Sequence, residues 1–171
     1  VNTLLIYLLF WFVIFPALTF LHEIGHAIPV LFLTKKDVMI VLGGKRTNIS
    51  PTNTLTLELG RIRFTIFPTY FWGGFYFSDA SNLTTFERVI IILGGPVASL
   101  LIAIIIWFLD MSLQPDLGTA FDSLPPMIGL AAFIQFLMTI IPIKYPAWLP
   151  IYGGMSSDGY RALHTFRIKD K

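Results

Sequence analysis

The chain has 171 residues, of which 55% are hydrophobic, 15% aromatic and only 13% charged, about half the charged share of a soluble domain, and its mean hydropathy is +0.73. A net charge of +2 is too small to suggest nucleic-acid binding, and the lack of cysteine excludes disulfides and thiolate metal ligands. These numbers describe a membrane protein of one compact domain whose metal-capable side chains are His, Asp and Glu.

The first apolar segment carries no charge from Leu4 to Leu21 and runs on to Leu33. As a helix it would measure roughly 45 Å, longer than a ~30 Å hydrocarbon core. It has no basic start, and no small-residue cleavage site follows a short apolar core, so it is expected to be retained rather than removed as a signal peptide. Inside it stands FLHEIGHAIPV, residues 20–30. An ionisable group near the membrane centre costs at least ~2.5 kcal/mol, so His22, Glu23 and His26 need a reason to be there. In H-E-x-x-H on a helix, the two histidines lie one above the other on a single face. Two neutral imidazoles can then bind one Zn²⁺, and the glutamate beside the first can take a proton from water that the metal activates. The bland alternative is a hydrogen-bonded polar pair between helices, which leaves a carboxylate at depth without a countercharge. Pro16 and Pro29 flank the cluster; each removes a backbone donor, and the resulting kinks would help water to reach it.

An insert follows over about residues 38–77. Thr54 to Phe67 alternates, with Leu55, Leu57, Leu59, Ile62, Phe64 and Ile66 on one face. Gly60-Arg61 suits a two-residue type II′ turn, which pairs Glu58 with Arg63, Thr56 with Thr65 and Leu57 with Phe64. Val38–Leu42 is a candidate further strand. The aromatic, Gly-rich PTYFWGGFYF (residues 68–77) is expected to lie at the membrane interface or dip into it.

Two more apolar segments, Val89–Leu109 and Met127–Ile143, complete the expected fold. It is an α-helical membrane protein with three transmembrane helices (about residues 4–33, 89–109 and 127–143) and a small cytoplasmic or interfacial β-hairpin insert between the first two. The third segment is at the short limit for a span. All twelve Lys and Arg fall within Lys35–Arg88 or Lys144–Lys171, whereas residues 110–126 hold only acids. The positive-inside rule then leaves the N-terminus outside and the C-terminus cytoplasmic. His26 lies about 13 Å of helix from Lys35, toward the cytoplasmic face. The sequons at Asn48 and Asn82 would be cytoplasmic and carry no sugar.

A catalytic zinc site needs a third protein ligand and an open position. The remaining histidine is His164. Asp110, Asp116 and Asp122 fall on the wrong side of the expected topology. Asp37 follows two lysines, Glu58 has a cross-strand partner, Glu87 flanks Arg88, and Asp170 is in a terminal tail. Asp158, in GGMSSDGYRAL, and Asp79 remain. A helix cap or turn is the bland reading of Ser157-Asp158-Gly159.

The chain resembles the site-2 protease family of intramembrane zinc metalloproteases. HEIGH (His22 to His26) matches its zinc motif in a membrane helix, GGPVAS (Gly94 to Ser99) resembles its G-P-x-x-N/S segment, and Ser157-Asp158-Gly159 resembles the Asp-Gly that supplies its third ligand. The matches cover nearly the whole chain in order. The resemblance implies a zinc endopeptidase with His22, His26 and Asp158 as ligands and Glu23 as general base. Its substrate would be a membrane-spanning or membrane-associated polypeptide, which could add as a strand to an edge of the insert. The resemblance also implies a multi-pass protein of a prokaryotic cell membrane, with the lipid bilayer as its surroundings and no nucleic-acid partner. Ser99 stands where the family often has Asn, Thr139-Ile-Ile-Pro142 departs from its N-P-x-P or N-x-x-P, and the gap from Pro142 to Asp158 is long, so no substrate-holding residue is assigned. A non-proteolytic metal-binding or transport protein using HEIGH is the alternative, and Glu23 discriminates, since a binding site alone gives no reason for its position.

Overall fold

The computed structural model describes residues 3–43, 54–67, 73–79, 82–113, 121–149 and 151–167. Residues 68–72 of the aromatic segment, the sequon at Asn48, Asp116 and Asp170 lie outside them.

Helices α1 (Thr3–Leu9) and α2 (Phe15–Leu33) form one rod joined by a π-helical turn over Phe10–Ile14. The Phe15 N–H reaches back five residues to the Phe10 carbonyl, next to Pro16, whose missing N–H interrupts the ordinary ladder. Pro29 is accommodated inside α2, which continues to Leu33.

The insert is a four-stranded sheet of β1 (Val38–Leu42), β2 (Leu55–Leu59), β3 (Ile62–Ile66) and β4 (Gly74–Ser78), ordered β2-β3-β1-β4. The β2–β3 hairpin has the expected register, with Glu58 opposite Arg63, Thr56 opposite Thr65 and Leu57 opposite Phe64. Gly60 sits at φ 58°, as the first central position of a primed turn requires. β1 is central: it runs parallel to β3 and antiparallel to β4. Its uninterrupted apolar run, VMIVL, suits a strand covered on both faces, and Val38, Ile40, Val41 and Leu42 are all buried. Ile40 packs with Val30 of α2 and Ile91, and Phe20 meets Phe64 at 5.3 Å, so the sheet is fastened to the end of the first rod. Residues 74–78, part of the aromatic segment, form an edge strand that the sequence reading did not assign.

Helix α3 (Thr85–Leu113) opens with a reciprocal cap: the Thr84 N–H donates to Glu87 Oε2 at 2.8 Å, and the Glu87 N–H to Thr84 Oγ1 at 3.3 Å. It runs antiparallel to α2, with Leu18 near Ala103 and Gly25 against Gly94. A Cβ on Gly25 would fall 2.5 Å from the Gly94 carbonyl oxygen, so these small residues let two backbones touch. α4 (Leu124–Ile140) follows a 3₁₀ turn at Phe121–Ser123 and packs back along α3, Gly129 facing Trp107. α5 (Asp158–Arg167) then packs its Ala162 on Val89 and Ile92.

The expectation of an α-helical protein with three transmembrane helices and a hairpin is therefore corrected. The fold is mixed α/β, and among the described residues two helical rods, Thr3–Leu33 and Thr85–Leu113, are long and apolar enough to cross a membrane. The third segment forms a helix of 17 residues, about 25 Å and short of a ~30 Å hydrocarbon core. Pro142 stops it, because the residue before a proline is disfavoured in helical conformation: Ile141 is extended, at φ −65° and ψ 127°. The hairpin became half of a sheet because β1 supplies a strand for both β3 and β4. Both long rods keep most of their apolar surface outward, with 22% and 39% of their most apolar windows buried, unlike a helix at the centre of a soluble core.

Candidate metal centre

Two elements bring His22, His26 and Asp158 together. The histidines project from one face of α2, and Asp158 is the first residue of α5. Asp158 Oδ2 lies 3.4 Å from His22 Nε2 and 3.4 Å from His26 Nε2. One ligand atom from each of the three residues lies within 4.8 Å of the others, and the group can hold a metal ion.

The outer nitrogens are engaged elsewhere. His26 Nδ1–H donates to the Ile91 carbonyl at 2.8 Å. The Gly95 N–H also lies 3.3 Å from this nitrogen, but a protonated nitrogen cannot accept it, and the shorter bond to a carbonyl fixes the tautomer. His22 Nδ1 hydrogen-bonds the Ser99 hydroxyl at 2.8 Å. With Nδ1 of His26 protonated, the neutral ring turns its Nε2 lone pair toward Asp158. Burial raises the Asp158 carboxyl, but when protons sit on the Nε2 atoms of His22 and His26 their hydrogen bonds and charge outweigh it and hold the group below the usual carboxylate range. Lone pairs facing an ionised carboxylate repel until a cation, either a proton or a metal ion, sits among them. Two imidazole nitrogens and one carboxylate oxygen, each held by an outer partner, are a donor set that suits such an ion.

The chain positions Asp158 firmly. Ser157 is 1% exposed; its hydroxyl donates to the Ile141 carbonyl at 2.7 Å and accepts from the Ile143 and Tyr160 N–H groups at 3.1 and 3.2 Å. It thus caps α5 and ties it to the chain leaving α4. The cap expected of this turn is made by Ser157, which leaves Asp158 to face the histidines. On its other side Asp158 Oδ1 accepts from Arg161 Nη1 at 3.1 Å, and Arg161 Nη2 donates to Tyr76 Oη at 3.2 Å. The Tyr76 ring stacks on His26 at 4.3 Å. Burial pushes the Tyr76 hydroxyl above its ordinary value, against the opposing pull of Arg161.

Glu23 is 5% exposed and faces β4. A Cβ on Gly74 would come within 2.7 Å of its Cγ, so glycine lets the strand lie directly over the carboxylate. The Gly74 N–H donates to Tyr152 Oη at 3.0 Å, and burial raises that hydroxyl too. Gly95 closes the opposite side: a Cβ there would approach His22 Nε2 to 2.6 Å. The site opens onto a cavity of about 850 Å³ between the first rod and α4, lined by Phe15, Met127, Ile134 and Met138 among others.

Asp79 does not join the site; it pairs with Lys36 Nζ at 2.6 Å on the surface. Glu58 pairs with Arg63 at 2.8 Å. Sequence reasoning did not single out Tyr76, Tyr152 or Arg161; it noted Ser99 within GGPVAS without giving it a role, although it lies four positions after Gly95 and therefore on the same face of α3, and it read Ser157 only as part of a turn or cap. The scan against protein-family models and the search of curated proteins find no match to the chain.

Proposed function

We propose that the protein is a zinc-dependent intramembrane endopeptidase of the site-2 protease type, with His22, His26 and Asp158 as zinc ligands and Glu23 as general base. The observation that carries this reading is the convergence of two imidazoles and a carboxylate beside a buried glutamate, at the wall of an apolar cavity next to a membrane-capable rod. A zinc ion bound there supplies Lewis-acid activation of water and of the scissile carbonyl. Glu23 takes the proton from the attacking water and delivers it to the leaving amide nitrogen. Ser99 and Ile91 hold the histidine rings in register, and Arg161 orients Asp158. β4, an edge strand running past Glu23 through Gly74, offers main-chain groups to a substrate unwound into an extended strand. The substrate class is a membrane-spanning or membrane-associated polypeptide.

The sheet and α5 share one end of the rods, and that end bears Lys36, Arg61, Arg88 and Lys144. We assign it to the cytoplasmic side, with the N-terminus outside, in a multi-pass protein of a prokaryotic cell membrane. The test compares membrane polypeptides in cells carrying the wild-type protein or Glu23→Gln. An uncleaved precursor that accumulates only with the variant supports the reading. Identical polypeptide patterns, together with full zinc binding by both proteins, would instead favour a metal-binding or transport protein.

A further inference from the structure

A second cleft, of about 550 Å³, lies outside the metal centre, between β4, the first turns of α3, and α5. That volume is within the range of small-molecule sites, about 300–1,000 Å³. Its charge is one-sided: Arg88, Lys144, Arg161 and His164 line it, and no Asp or Glu does among the described residues. Arg88 uses Nε on the Leu83 carbonyl, at 3.1 Å. Lys144 Nζ stands 5.4 Å over the Tyr160 ring, a contact that fixes the ammonium without neutralising it. Arg88 lies in the opening turn of α3, a rod long enough to cross a membrane. Lys144 lies four residues beyond the end of α4 at Ile140, and both lie at the end of the rods where the sheet is. Basic pockets between helices at this level are where anionic headgroups bind.

We propose that this cleft binds a phosphate ester anion, held by Arg88 and Lys144 and reaching Arg161. An anionic phospholipid headgroup and a soluble phosphate share this chemistry. Arg161 also lines the metal centre and donates to Asp158, so an anion in the cleft competes with Asp158 for its guanidinium. The binding itself does not depend on the metal reading, and it is measured without zinc.

The full chain, purified in a neutral detergent, is titrated in one arm with phosphatidylglycerol in phosphatidylcholine micelles and in another with inorganic phosphate. Lipid adducts are counted by native mass spectrometry, and phosphate binding is followed by calorimetry. The expected result is one tightly held phosphatidylglycerol per chain. Its affinity should fall about 30-fold in the double variant Arg88→Gln/Lys144→Gln, the loss of two basic contacts. Ser78→Asp, which adds a carboxylate to the cleft wall while keeping every base, should weaken binding similarly and covers the case in which the double variant fails to fold. Arg63→Gln, on the outer hairpin, should change affinity by less than about twofold. Displacement of the lipid by inorganic phosphate assigns the site to soluble phosphate as well; resistance to displacement assigns it to the lipid headgroup. Binding no tighter than that of phosphatidylcholine in both arms, or unchanged affinity in folded Ser78→Asp, overturns the proposal.

Discussion

His22 Nδ1 and Ser99 Oγ lie 2.8 Å apart across the α2–α3 interface, and Ser99 is fully buried. The hydroxyl fixes the ring so that the opposite nitrogen faces Asp158. Ser99→Ala should therefore weaken zinc affinity by about 10–100-fold, the usual effect of losing an outer partner of a ligand. Competition with a chromophoric chelator measures it. Unchanged affinity would mean that helix packing alone orients the imidazole.

Glu23→Gln keeps the shape of the side chain but cannot accept a proton. Turnover should drop by at least about 100-fold, while zinc content stays near that of the wild type. Loss of zinc from this variant would make Glu23 a ligand instead of a base.

Asp158→Asn removes the charge that faces both imidazoles. Zinc affinity should fall further than in Ser99→Ala, because a direct ligand is altered, and cleavage should stop. Asp79→Asn breaks an exposed pair with Lys36 and should alter neither property. The reverse pattern would reassign the third ligand.

Gly95→Ala introduces a methyl group where His22 Nε2 would be only 2.6 Å away. Overpacking of this kind costs about 1–3 kcal/mol, so the thermal midpoint should fall and zinc affinity with it. A stable variant with normal zinc content would show that α3 can back away from the histidines.

Reporter fusions test the orientation. Fusions after Gly43 and after Arg167 should both read cytoplasmic, and one within residues 114–120 should read external. Opposite readings for the first two would contradict the shared end of the sheet and α5.

The HEIGH cluster was legible because its geometry is local: four residues along a helix suffice to align two rings. The hairpin register was legible for the same reason, through alternation and a glycine turn. Asp158 was reached through the Asp-Gly resemblance, since nothing in GGMSSDGY states what it faces. Ser99, Tyr76 and Arg161 depend on how α3, β4 and α5 dock, and such pairings leave little trace in a single sequence. β4 was missed because its glycines and aromatics obscure alternation, and β1 gave no sign of pairing parallel to β3. The third apolar segment misled because hydropathy continues to Ile143 although Pro142 ends the helix at Ile140, three residues earlier.

Ser157 and its three hydrogen bonds hold the Asp158 half of the site, while HEIGH lies near the other end of the chain. During synthesis the two histidines are in place on the first rod long before Asp158 exists, and the ring partners on α3 arrive between them. The centre is therefore assembled in stages: rod first, ring partners second, carboxylate last. Closing so long a loop is slow compared with forming any one helix, so a nascent chain holds an incomplete donor set until α5 docks. A complete metal site then becomes a late event in biogenesis, and a chain arrested before α5 would carry the motif without its third donor.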